Sequence, residues 1–153
     1  MKKIILFTFF ILLNISYAFA DLIKPSSKID PAKVVSIQLK GLMNNDEPSK
    51  DHGIKQTWEF AHPSNKEYTG PLSRFINLIK SENYKMLINH LDSKIIEIFQ
   101  SKNRYAFEVT ILGNDKNYYK FHWIVEKYYN EGPLENCWLT TSVSNPVSLG
   151  SSI

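Results

Sequence analysis

The sequence predicts an α+β domain in which N-terminal helices pack on a curved antiparallel sheet of about four strands. Two observations carry this. Apolar residues recur at helical spacing up to about residue 90, and from about residue 93 the period changes to two. A third is the order itself, because helices followed by strands make an α+β arrangement rather than alternating β-α-β units.

Residues 1–20 read as a cleavable export signal. Lys2 and Lys3 supply a positive end, residues 4–13 are apolar except for Thr8, and Ala18-Phe19-Ala20 offers a small-x-small cleavage site before Asp21. The run is too short to span a bilayer, which takes about 20 apolar residues. The expected location is therefore periplasmic or secreted, with no stable membrane anchor after cleavage at Ala20/Asp21. Removing the leader leaves 133 of 153 residues, enough for one domain with its own core. Because the leader contains two lysines and no acid, the remaining chain has 16 basic and 15 acidic residues and a net charge of +1. That balance, with the lysines scattered, gives nucleic acid no basic face to bind. Cys137 is the only cysteine, so no internal disulfide forms and stability rests on packing. Its apolar, strand-like neighbourhood beside Trp138 predicts a buried, inert thiol.

Residues 21–29, with Pro25, Ser26 and Ser27, read as a linker. Asp30-Pro31 opens a first helix, since aspartate caps and proline fits the first helical position. Val35, Leu39, Leu42 and Met43 recur at helical spacing, with Val34 and Ile37 widening the stripe, and Asn44-Asn45-Asp46 and Pro48 end it. Asp51 is placed to cap a second helix carrying Ile54, Thr57, Trp58 and Ala61 on one face, closed by Pro63. Residues 64–70 read as a polar turn. Gly70-Pro71 starts a third helix with Leu72, Phe75, Ile76 and Ile79 inward, followed by a short piece with Tyr84, Met86 and Leu87. Strands are expected over residues 94–100, 104–112, 118–128 and 137–143, with a hairpin turn at Gly113-Asn114-Asp115. Residues 144–153 read as a flexible tail to a single domain over residues 30–143.

The segments Pro31-Ala32-Lys33-Val34-Val35 with Gln38-Leu39 and Asn44-Asn45-Asp46, Trp58-Glu59-Phe60-Ala61-His62-Pro63-Ser64-Asn65-Lys66, Thr69-Gly70-Pro71, Phe75 and Cys137-Trp138 together resemble the domain-of-unknown-function 4864 family over residues 30–143. That family is similar to the nuclear-transport-factor-2-like, cystatin-like cone superfamily, which also holds steroid isomerases and polyketide cyclases. The resemblance implies a cone-shaped cavity and no particular activity.

Among the four histidines, His52, His62, His90 and His122 show no ligand-pair spacing, so zinc is not indicated and nothing calls for a cofactor. His62, just before Pro63, is placed to cap the end of the second helix. Residues 58–71 have two readings: Asn65, Lys66, Tyr68 and Thr69 line the mouth of a cone, or Asn65, Thr69 and Gly70 serve only as turn and capping residues. Strand parity puts Tyr105, Phe107, Val109 and Ile111 on one face, matched by Tyr119, Phe121, Trp123 and Val125 across the hairpin. Glu108 and His122 then point outward, away from any apolar interior where a catalytic acid or base would be tuned.

The expected function is non-catalytic binding of a small ligand or an envelope protein, with Trp58, His62, Tyr68, Phe75, Tyr105, Phe121 and Trp123 as the ligand-binding set and no catalytic or metal-binding residues. One alternative is a small isomerase or hydrolase-like enzyme using Glu59 or His62. Another is a structural component of an envelope complex docking by the outer sheet face, and a homodimer is left open. Intact-mass measurement of protein recovered from the periplasm should give a chain beginning at Asp21. A full-length chain held in the membrane would contradict the export reading.

Overall fold

A computed structural model describes residues 21–151, so the expected export signal over residues 1–20 lies outside the described residues. Helix α1, Pro31–Met43, starts as its sequence dictates: the Asp30 carboxylate accepts from the Lys33 amide at 2.8 Å and Pro31 takes the first helical position. Its buried side is wide, with Val34, Val35, Ile37, Gln38, Leu39 and Leu42 all inside, because it is packed by both the sheet and helix α2, His52–Glu59. The two helices approach backbone to backbone at Gly41 and Gly53. A Cβ on Gly53 would run into the Gly41 carbonyl, so only glycine fits this crossing.

Asp51 does not cap α2 through its side chain. It sits at φ 60°, and its carboxylate turns to Lys80 at 2.7 Å. The capping role falls to Asn45, whose Oδ1 accepts from the Ile54 amide at 3.1 Å. Residues 64–70, expected as a turn, contain helix α3, Pro63–Thr69. None of its side chains is buried, so hydropathy gave it no period. It forms because Pro63 occupies the first position and His62 Nδ1 accepts from the Ser64 amide at 3.2 Å. His62 thus caps the start of α3 and not the end of α2. Helix α4, Leu72–Ile79, buries Phe75 and Ile79, and a 3-10 turn follows at Lys85–Leu87.

Among the described residues, five antiparallel strands make the sheet: β1 Asp92–Gln100, β2 Arg104–Leu112, β3 Asn117–Lys127, β4 Trp138–Val143 and β5 Val147–Ser151. The fifth was not expected, since residues 144–153 read as a tail. The reason lies in the length of β3. Strand β4 pairs only with its Trp123–Lys127 end, leaving Asn117–Lys120 free for β5. Between the two, Ser144 bridges to the His122 backbone in both directions, by its own amide and by its hydroxyl. Pro146 lacks the amide that would continue the ladder, so the run divides there. Residues 21–29 are likewise tied down: the Gln56 amide exchanges two hydrogen bonds with the Ile23 backbone, and Lys24 pairs with Glu59 at 2.9 Å.

Register shifts at Glu97/Phe99, Tyr118/Tyr119 and Ile124/Val125 break the regular pleat of the sheet. Its inner face buries Phe107, Val109, Ile111, Phe121, Trp123 and Val125 under the helices, with Tyr105 and Tyr119 half-buried on the same side. Glu108 and His122 pair across the hairpin on the opposite, outer face, where Glu108 meets Lys120 at 3.3 Å. Among the described residues no helix is long and apolar enough to cross a membrane.

Phe121→Ala should therefore destabilise the fold by about 3–5 kcal/mol in denaturant unfolding. His122→Ala should stay within about 0.5 kcal/mol, and equal effects would contradict the assignment of faces. A second test follows from Asp51, whose carboxyl is held below its ordinary value by the Lys80 ammonium bonded to it, against the opposing cost of burial. A lowered folded-state pKa stabilises the native state above the unfolded carboxylate pKa, and that stabilisation is lost as pH falls through the folded one. Asparagine tolerates the positive φ at this position, so Asp51→Asn isolates the charge. Its stability deficit at neutral pH should shrink towards zero in strong acid, and a constant deficit would contradict the ion pair.

Candidate functional site

A polar node inside the apolar core builds the site. The indole N–H of Trp123 on β3 is a donor only, so the group facing it must be an acceptor. It donates to Gln38 Oε1 at 3.0 Å and to Thr140 Oγ1 on β4 at 3.2 Å. The Thr140 hydroxyl in turn donates to the same Gln38 oxygen at 2.7 Å. This fixes the orientation of the Gln38 amide, and its nitrogen points the other way, donating to the Thr57 carbonyl of α2 at 3.1 Å. Gln38 is only 1% exposed.

Above the node lies a cavity of about 70 Å³ between the helices and the sheet. Gln38, Thr57, Phe75, Leu87, Trp123 and Thr140 are among its buried walls, while Asn65, Thr69, Leu78, Tyr84 and Val143 form a half-buried rim. Helix α3 brings two of the rim groups. The Asn65 amide donates to the Thr140 carbonyl at 3.2 Å, and the Thr69 hydroxyl donates to the Asn65 carbonyl at 2.8 Å. A water occupies about 30 Å³ of liquid and drug-sized ligands need about 300–1,000 Å³. The space suits a few atoms and excludes a steroid or polyketide skeleton as the cavity stands. None of the lining side chains is an aspartate, glutamate, lysine, arginine or histidine. The one weak acid at the rim, Tyr84, has its phenol pKa pushed up by burial and donates to the Val143 carbonyl at 3.3 Å.

Of the seven expected ligand-binding residues, the structure brings Phe75 and Trp123 to this cavity. Trp58 stands just behind it, its ring 5.0 Å from that of Phe75 and covered by the Lys66 ammonium at 5.3 Å. Burial lowers the Lys66 pKa, with Glu59 acting in the opposite direction. The other four lie elsewhere. Phe121 is core, stacked on Tyr84, and Tyr105 packs edge-on against Trp138 at the far end of the sheet. His62 is at the surface beside Tyr128, with burial lowering its pKa, and Tyr68 is 83% exposed. Glu59 is bound to Lys24 and does not line the cavity.

Asn65 and Thr69 serve both readings of their segment, since they hold α3 to β4 and also edge the cavity. Gln38, Thr57, Tyr84 and Thr140 were not among the expected site residues, although Thr57 was placed on the inner face of its helix. The signal that marks Gln38 is its position within the otherwise apolar stripe from Val34 to Leu42. Among the described residues no three His, Cys, Asp or Glu side chains come together as metal ligands. No protein-family model, curated protein or solved structure matches the chain. Fold and site together define an α+β domain with a small, uncharged, polar-floored cavity between helices and sheet.

Gln38→Ala removes three hydrogen bonds and side-chain volume at once, and should cost about 2–4 kcal/mol in urea unfolding. A loss below about 0.5 kcal/mol would show the node to be dispensable. Cys137 is buried, and burial pushes its thiol pKa up. It should react with a thiol reagent slowly in the folded protein and quickly after denaturation. Rapid labelling of the native state would contradict the burial.

Proposed function

We propose that this chain is an exported binding module of the cone type, which holds a small ligand in the cavity over Gln38 and performs no catalysis. The observation that carries the reading is the cavity itself: apolar walls around a few fixed polar groups, the usual composition of a ligand site. Export rests on the leader sequence, and the cone assignment on the family resemblance together with helices packed on one face of an antiparallel sheet. An enzyme using Glu59 or His62 finds less support, because neither side chain reaches the cavity and no ionisable acid or base other than Tyr84 edges it.

One observation favours docking to an envelope protein as a second reading. Ile96 and Phe99 stand opposite Glu108 and Ala106 on the uncovered sheet face, and both are exposed, as is Val147.

Native mass spectrometry of protein purified from its own cells tests the first reading. Wild type should show a small-molecule adduct that is absent from Thr69→Trp, a variant that closes the rim while leaving the buried floor intact. An adduct of the same mass and occupancy in both proteins, or none in either, would contradict binding in the cavity.

A further inference from the structure

The hydrogen-bonding inventory of the cavity specifies what kind of molecule fits it. A primary amide has two N–H donors. Gln38 Nε2 spends one on the Thr57 carbonyl and finds no acceptor for the other among the described residues. The amide cannot turn round to improve this, because its oxygen is held by the donor-only indole of Trp123 and by the Thr140 hydroxyl. A nearly fully buried side chain with an uncommitted donor therefore lines the cavity. At the rim, Asn65 repeats the pattern: Nδ2 gives one proton to the Thr140 carbonyl, its oxygen faces the Thr69 hydroxyl at 3.3 Å, and the second amide proton is unspent. At the buried floor the open position, on Gln38, is a donor, so the molecule that completes it presents an acceptor there.

Charge narrows the class further. A carboxylate is also an acceptor, but no lysine, arginine or histidine lines the space, and burying an unpaired ion is far more costly than burying a neutral polar group. A neutral carbonyl oxygen accepts from the amide without that penalty, and its apolar remainder meets Phe75, Leu87 and Ile79. With about 70 Å³ available, less than half the roughly 150 Å³ of a cavity that takes benzene, the body must be a short chain.

We infer that the cavity selects a small uncharged carbonyl compound, its oxygen accepting from Gln38 Nε2 and its short apolar chain lying against Phe75 and Leu87. This rests on the binding reading above and gives that reading its ligand class.

The three tryptophans make the test direct, since the Trp123 indole N–H reports on the node while that of Trp138, packed on Tyr105, serves as internal reference. Two-dimensional NMR titrations would use propionamide, the isosteric propionate, and 1-chloropropane, which lacks a strong acceptor. Propionamide should move the Trp123 indole signal saturably and leave Trp138 in place, with propionate and 1-chloropropane each at least about tenfold weaker at neutral pH. Gln38→Met should weaken propionamide by about tenfold, and Asn65→Leu, which gives up one rim hydrogen bond and still folds, should weaken it severalfold. If propionate or 1-chloropropane binds as well as propionamide, the ligand class is wrong while cavity binding stands. Unchanged propionamide affinity in folded Gln38→Met and in Asn65→Leu would also overturn the class. If no probe moves Trp123, the inference and the binding reading fall together.

Discussion

Four elements of this protein meet on one glutamine. Gln38 projects from α1 into the core, accepts from Trp123 of β3 and Thr140 of β4, and donates to the backbone of α2. Each of these groups is buried, and a buried polar group left unpaired costs about 1–3 kcal/mol. The node is therefore coupled: without Gln38 the Thr57 carbonyl loses this donor, the Thr140 hydroxyl loses its acceptor, and the indole keeps Thr140 alone. Apolar packing sets which side of α1 faces inward. The donor-only indole and the acceptor-only Thr57 carbonyl add a directional constraint, because each accepts one orientation of the amide.

The node needs α1 and α2 to be fixed relative to one another, and two features supply this. The helices touch at Gly41 and Gly53, the second of which admits no larger residue, and the turn between them is knotted by Asn45 and Asp51 and tied to Lys80 at the end of α4. With α1, α2 and α4 held in this way, the helices do not close fully over Trp123 and Thr140, and the remaining space is the cavity. The arrangement that orders the core thus also leaves it an opening with a defined polar floor. Thr140 links the two levels, since its hydroxyl belongs to the floor while its carbonyl accepts from His62 and Asn65 at the foot of α3.

Much of the fold was legible in the sequence because alternation and helical spacing are direct consequences of burial. The inward set Phe107, Val109, Ile111, Phe121, Trp123 and Val125, and the outward pair Glu108 and His122, follow from strand parity alone. Helix α3 was not legible for the same reason in reverse: it buries nothing, so only Pro63 and the capping histidine encode it. Strand β5 depends on the unpaired half of β3, which is a property of register and not of residues 147–151 themselves. The site was the least legible part. Choosing aromatic residues finds the core, since burial is non-directional, and so Phe121 and Tyr105 were grouped with Trp123 although they face other surroundings. What distinguishes the cavity is its few polar groups, and Gln38 and Thr140 are 102 residues apart in the chain, a pairing that spacing does not reveal.

The central claim is that Gln38 and Thr140 act as one unit across that distance. A double-mutant cycle in urea unfolding, with Gln38→Ala, Thr140→Ala and the pair, measures it directly. Coupled partners of a buried network should give an interaction energy of about 1–2 kcal/mol, the double variant losing less than the sum of the two single ones. Additivity within about 0.3 kcal/mol would mean that the two residues contribute independently, and would contradict the account of the node as the constraint on which fold and cavity depend.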